Sequence, residues 1–204
     1  MTMRRSGSER REEIVAAYLA LAAEGDPGRI TTGQVAARVG VTQGALFRHF
    51  AGKEAMVEAV VERVADGLMG AVGGVLEDVE PGEELAALGR AFLAHAAFVD
   101  RHPGGPRVIL SELQHAGATG ALRAAGDLMR RYRELVERVM RRGCSADVLR
   151  SDLNVQVASG LYLGALQGLL FQTLVGGRAA SVSKAAPAAW GVLRVAFAGG
   201  EVQE

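Results

Sequence analysis

Gln43 and Arg48 carry the most specific chemistry this sequence offers, which is hydrogen bonding to the edges of DNA bases. A glutamine amide donates and accepts at once, so it can pair bidentately with adenine, while an arginine can reach guanine or a phosphate. Thr42, Gly44 and Ala45 beside them are small: the glycine lets a backbone come close, and the alanine methyl could meet a thymine methyl. His49 and Lys53 stand where a phosphate would lie, and Lys53 opens a helix whose N-terminus attracts anions. A single glutamine or arginine on a helix is ordinarily solvated surface, and His49 could serve equally as a core histidine. The ordered set carries the weight.

That set needs a frame, and residues 31–50 supply one. Thr31 with Gln34 forms a capping box that starts a short helix. Val35 and Val39 share its buried face, and Ala36 is small enough to let a second helix cross nearby. Gly40 falls where the chain reverses, a position that commonly needs positive φ. Val41 plugs the corner, Thr42 caps the second helix, and Leu46 and Phe50, four apart, pin it to a core. The sum predicts a helix-turn-helix whose second helix enters a major groove about 12 Å wide.

The run VAARVGVTQGALFRHFAGKEAM is very similar to the signature of the TetR/AcrR family of bacterial transcriptional regulators, and the close resemblance covers residues 14–60. It implies phosphate contacts from Thr32, His49 and Lys53, and base or groove contacts from Thr42, Gln43, Gly44 and Arg48. It also implies a homodimer, a small-molecule effector and repression of transcription. Two positions depart from the family pattern. Phe47 stands where tyrosine is common, so one hydroxyl-to-phosphate bond is missing, and Gly52 replaces the usual Ser or Asp cap.

The remaining chain reads as helices throughout, with no clear period-2 stretch. The expected fold is all-α with about nine helices: a three-helix DNA-binding domain over residues 1–52, with 1–8 frayed, and a helical effector-binding and dimerisation domain over 53–204. Gly25-Asp26-Pro27-Gly28 ends the first helix, and Lys53 opens a long one. Pro81 with Glu83 and Glu84 suggests a new helix start, with the acids serving its dipole. His102-Pro103-Gly104-Gly105-Pro106 is the strongest breaker, followed by helices near 107–115, 120–142, 153–175 and 183–198.

Gly160, Gly164 and Gly168 lie on one ridge and would let another helix approach. With Trp190, Leu193 and Phe197 in helical register on the last helix, they are the expected dimer surface, unless all of it packs within one subunit. The resemblance further implies an effector cavity. Aromatic or polar groups interrupt apolar stripes at Phe92, His95, Phe98, His115, Tyr132, Tyr162, Gln167 and Phe171, which suits a hydrophobic or amphipathic ligand.

The totals bound the alternatives. The 204 residues carry no net charge, but residues 1–53 hold eight basic groups against five acidic ones, leaving an excess of three acids beyond them. One cysteine, Cys144, allows no internal disulfide and suits a reducing cytoplasm. The basic start precedes no apolar run of signal-peptide length. From Leu153 to Gly177 the uncharged length would span a bilayer, but Asn154, Gln156, Gln167 and Gln172 would be costly there, so a buried soluble helix is expected. His95, His102 and His115 fit no metal spacing, no cofactor is implied, and no catalytic motif is present. The competing function is an architectural DNA-binding protein without an effector.

Overall fold

The computed structural model describes residues 6–114, 117, 119–176 and 181–199. His115, expected in the effector site, lies outside the described residues. Among those described are nine α-helices: α1 (Gly7–Glu24), α2 (Thr32–Val39), α3 (Gln43–Leu46), α4 (Lys53–Glu77), α5 (Glu84–Arg101), α6 (Gly104–Glu112), α7 (Gly120–Ser145), α8 (Val155–Gly176) and α9 (Val182–Phe197). A 3-10 turn occupies Pro27–Arg29, and the sole β feature among the described residues is an isolated bridge between Leu149 and Ala198. The all-α class follows. The expected fraying of residues 6–8 does not: Ser6 caps α1, its Oγ accepting from the Glu9 amide at 3.2 Å while its own amide donates to Glu9 Oε2 at 2.7 Å.

The chain divides into two compact units. The first unit is the chain up to Gly67 together with His102–Leu128. Ile14, Val15, Tyr18 and Ala22 of α1, Val35 and Ala36 of α2, Leu46, Phe50, and Met56, Val57, Val60 and Val61 of α4 form its core. Val108 of α6 and Ala121 of α7 complete it. The segment read as a breaker is mostly helix. Gly104 and Gly105 are buried first residues of α6, and a Cβ on Gly104 would fall 2.2 Å from the Leu19 carbonyl oxygen. Glycine there serves close packing of α6 on α1.

The second unit comprises Leu68–Arg101 and the chain from Met129 on. Leu88 and Phe92 of α5, Tyr132, Val136 and Met140 of α7, Tyr162 and Leu166 of α8, and Phe197 of α9 are buried in it. Pro81 does not start α5 as expected; Pro81 and Gly82 form a turn, with Gly82 at φ 90°. Glu84 is the first residue of α5, an acid in its first turn as expected, and it is buried there. It accepts from the Gly82 amide at 3.0 Å and pairs with Arg142 at 3.3 Å. Helix α8 is long and apolar enough to cross a membrane. Only 28% of its apolar stretch is buried, and one of its apolar faces is exposed.

Asp100, near the end of α5, secures the start of α9. Its carboxylate accepts from Ser181 Oγ at 2.6 Å and from the Val182 and Ser183 amides at 3.0 Å each. Burial pushes this carboxyl up, but the bonds from Ser181, Ser183 and Val182 outweigh it and hold it below its ordinary value of 3.8. A depressed carboxyl contributes stability above its unfolded pKa and loses it as pH falls through the folded one. Asp100→Ala should therefore lower the melting temperature at pH 7, as loss of a cap costing ~0.5–2 kcal/mol. Below pH 4 the gap between variant and wild type should close. Thermal melts by circular dichroism across pH 7 to 3 measure it; an equal gap at both ends would assign the loss to packing.

Candidate nucleic-acid interface

Helix α2 begins as expected. The Gln34 amide donates to Thr31 Oγ1 at 3.2 Å, and the Thr31 amide donates to Gln34 Oε1 at 2.8 Å. It ends on Gly40, at φ 77° and ψ 35°. The Gly40 and Val41 amides then close on the Ala37 and Ala36 carbonyls, a Schellman closure that turns the chain sharply. Any residue with a Cβ would be strained at Gly40, so the reversal is written into that glycine.

Thr42 caps α3 by accepting from the Ala45 amide at 3.1 Å. The helix itself is one turn, shorter than expected. Residues 47–49 continue as turns, with the His49 amide bonded to the Leu46 carbonyl at 2.9 Å. One turn has no stability of its own. Leu46 and Phe50, 0% and 2% exposed, anchor it from both ends, each burial worth ~1.5–3 kcal/mol. Thr42, Gln43, Gly44, Phe47 and Arg48 are left exposed, with Ala45 and His49 half-buried.

Three contacts organise this surface through partners distant in the sequence. Gln43 Nε2 donates to Thr32 Oγ1 at 2.6 Å, so two residues expected on DNA are bonded to each other. Lys53 Nζ donates to the Gly28 carbonyl at 3.1 Å, tying the first residue of α4 to the 3-10 turn. An ammonium has three donors, so two remain for a phosphate. Arg11 was missed. Its guanidinium lies 4.2 Å over the Phe50 ring and donates to the His49 carbonyl, covering the far end of the α3 segment. The one signal for it was the basic run at the N-terminus. Arg38 is bound bidentately to Glu24, whereas Arg48 has no ion pair among the described residues.

In the second unit the structure brings together Phe92, His95, Tyr132 and Tyr162 of the expected effector set, joined by Trp190. Phe98 is buried on the same helix as Phe92. Gln167 is exposed and donates to Met129 Sδ at 3.6 Å. Phe171 does not line a site within the unit, because it is 63% exposed. The dimer set is corrected in the opposite sense. Phe197 is 2% exposed and belongs to the core, and the Trp190 ring packs over Gly89 inside the unit. Leu193 is half-buried. A side chain at Gly160, Gly164 or Gly168 would meet no described residue within 4 Å beyond its own turn of helix.

The outer face of α8 runs Val157, Leu161, Gly164, Gly168, Phe171 and Val175, spaced alternately by four and three residues. Ala185, Ala188, Val192 and Val195 repeat the pattern on α9, all exposed. Spacing of this kind keeps one seam toward a partner helix.

An exposed helical turn with small residues at its start, an arginine without an ion pair among the described residues and a buried anchor has the form that a DNA groove admits. The fold and this surface define a helix-turn-helix DNA-binding regulator. The sequence model for bacterial regulatory proteins of the tetR family matches residues 14–60. A nucleoid occlusion factor, SlmA, of Idiomarina loihiensis is 31% identical over 173 residues, covering 80% of this chain and 82% of that protein. The chain belongs to the TetR family of bacterial regulatory proteins. Two solved structures share the fold: SmeT of Stenotrophomonas maltophilia, the repressor of a multidrug efflux pump (TM-score 0.75, 21% identity, 95% and 96% of the two chains), and FadR of Bacillus subtilis in complex with stearoyl-CoA (TM-score 0.77, 13% identity, 89% and 96%).

Proposed function

We propose that this DNA-binding regulator is a cytoplasmic homodimeric repressor that leaves its operator when a small, mainly apolar effector binds in the second unit. The observation that carries the DNA part is the anchored, exposed turn Thr42–Arg48 with Gln43 oriented by Thr32. Pairing is supported by the two exposed seams on α8 and α9, whose alternating spacing and glycines suit helix against helix. The same spacing favours a protein partner over lipid for α8, since Gln156, Gln167 and Gln172 share that uncharged segment. The effector part is supported by the aromatic group around Tyr162 and by a fold relative solved with stearoyl-CoA.

A second function has one observation in its favour: the Idiomarina relative is a nucleoid occlusion factor. On that reading the chain is an architectural DNA-binding protein with no effector. A compound that both raises the melting temperature and weakens operator binding supports the repressor; no such compound in an apolar panel supports the other.

The DNA assignment is tested by two variants on an operator selected from random duplexes. Lys53 stands at a helix start, off the groove-facing turn, so Lys53→Ala should weaken operator and random DNA alike and reduce the salt slope by about one. Gln43→Ala should relax preference at one base pair per half-site, by ~1–3 kcal/mol. In a two-fold dimer the affected pairs should be symmetric. Binding to single-substituted operators at two salt concentrations reads both effects. Uniform weakening by Gln43→Ala, with altered preference in Lys53→Ala, would reverse the two roles.

A further inference from the structure

Five rings from four helices meet in the second unit: Phe92 and His95 of α5, Tyr132 of α7, Tyr162 of α8 and Trp190 of α9. Phe92 meets Tyr162 edge-on, with centroids 5.3 Å apart, and Trp190 lies 5.9 Å from Phe92. His95 lies 5.5 Å from Tyr132. The Tyr162 hydroxyl is satisfied, donating to the Leu88 carbonyl at 2.9 Å. His95 Nδ1 and the Tyr132 hydroxyl are not. Both are shut off from solvent and have no hydrogen-bond partner among the described residues.

Each buried polar atom without a partner ordinarily has an explanation, because it forfeits hydrogen bonds to water that nothing repays. We infer that this cluster takes an uncharged, mainly apolar molecule bearing a hydroxyl group, with the hydroxyl end held by His95 Nδ1 and the Tyr132 hydroxyl. The inference rests on the effector reading above and names the chemistry of that ligand. The rings supply an apolar, stacking surface. A hydroxyl both donates and accepts, so it satisfies a neutral imidazole in either tautomer and a phenol in either role.

Charge decides against the ionic alternatives. Burial alone pushes His95 down, to about 4, so the imidazole is neutral near pH 7, and no charged side chain contributes to that shift. The charged groups on the surrounding helices are engaged or outward. On α5, Glu84 pairs with Arg142 of α7, Arg90 with Glu83, and Asp100 with the start of α9. Lys184 and Arg194 of α9 are exposed, and α8 has no charged residue. A carboxylate ligand would be buried here without a cation, and an ammonium without an anion, both costly.

Trp190 is the only tryptophan in the chain and sits in the cluster, so its fluorescence reports occupancy. The full-length protein is titrated with 4-butylphenol, butylbenzene and 4-butylbenzoate, which share one apolar body and differ at one end. The phenol should bind saturably, at least about threefold tighter than the hydrocarbon, with the benzoate weakest. Tyr132→Phe and His95→Phe should each cut phenol affinity by about two- to tenfold, as for a neutral hydrogen bond, and leave butylbenzene unchanged. Both variants should melt at or above the wild-type temperature, since each removes an unpaired buried polar atom. No binding by any probe, tightest binding by the benzoate, or full phenol affinity in both variants would overturn the inference. Operator binding with each probe separates it from the reading beneath. A benzoate that binds best and releases DNA leaves the effector role standing and sinks the hydroxyl. A phenol that binds as stated and leaves DNA affinity unchanged does the reverse.

Discussion

Gly164→Leu should yield a folded subunit that no longer pairs and no longer holds its operator. Among the described residues, nothing beyond its own turn of helix lies within 4 Å of a Cβ at this position, so the added side chain meets no obstacle there. Within its own helix the change is favourable, since glycine costs about 0.8–1.0 kcal/mol relative to the best helix formers. Only a second copy packed on the α8 seam would feel the added bulk. Overpacking typically costs ~1–3 kcal/mol, and a two-fold contact meets the insertion from both sides. A dimer dissociation constant raised thirtyfold or more is therefore expected. Operator affinity should fall with it, because a monomer engages a single half-site. Analytical ultracentrifugation reads the pairing, a duplex binding assay the second effect, and circular dichroism the retained helices. A variant that sediments as a dimer and binds its operator normally would remove this face from the interface.

Gly104→Ala should be the most destabilising single-methyl change in the first unit. The added carbon would sit 2.2 Å from the Leu19 carbonyl oxygen and 3.2 Å from the Ala23 amide, both backbone. No rotamer change can relieve that, so α6 must move off α1, exposing Val108 and the α1 core residues. A cost at or above ~3 kcal/mol is expected, the upper end of ordinary overpacking. For a chain of this size, that is a melting temperature lower by roughly 6–12 °C. Gly105→Ala should cost less, since its nearest obstacle is the Val64 side chain at 2.9 Å. Gly126→Ala, in α7 with open space around it, should raise stability by up to about 1 kcal/mol. Melts of the three variants test the ranking. Equal behaviour of Gly104→Ala and Gly126→Ala would mean that the close approach is not what holds α6 in place.

The helix-turn-helix was legible because its determinants are local. The Thr31–Gln34 box, the Gly40 reversal and the Leu46–Phe50 pair act within a few residues of one another, and each behaves as its chemistry requires. The same rule applied to Ser6 and Glu9 would have started α1 correctly. What escaped depends on distant partners. Arg11 finds the His49 carbonyl 38 residues away, and Ser181 finds Asp100 81 residues away. Periodicity also failed to assign faces on α8, because that helix is apolar all round and no polar stripe marks its outside. Phe171 of α8, expected inward, accordingly lies on that outside; Phe197 is a separate case, the last residue of α9, expected outward and buried in the structure. Glycine was ambiguous in a related way: Gly104-Gly105 reads as punctuation, yet it marks where two backbones meet.

The hydrogen bond between Gln43 and Thr32 has a consequence for how binding energy is divided. Immobilising a flexible side chain at an interface usually costs ~0.5–1.5 kcal/mol at the moment of association. Here the glutamine loses that rotational freedom when the protein folds, before any DNA arrives. The entropy penalty is thus moved from recognition to folding. In the proposed role of Gln43 as a base reader, discrimination at that position would then come mainly from enthalpy, with a rigid ruler in place of a searching probe.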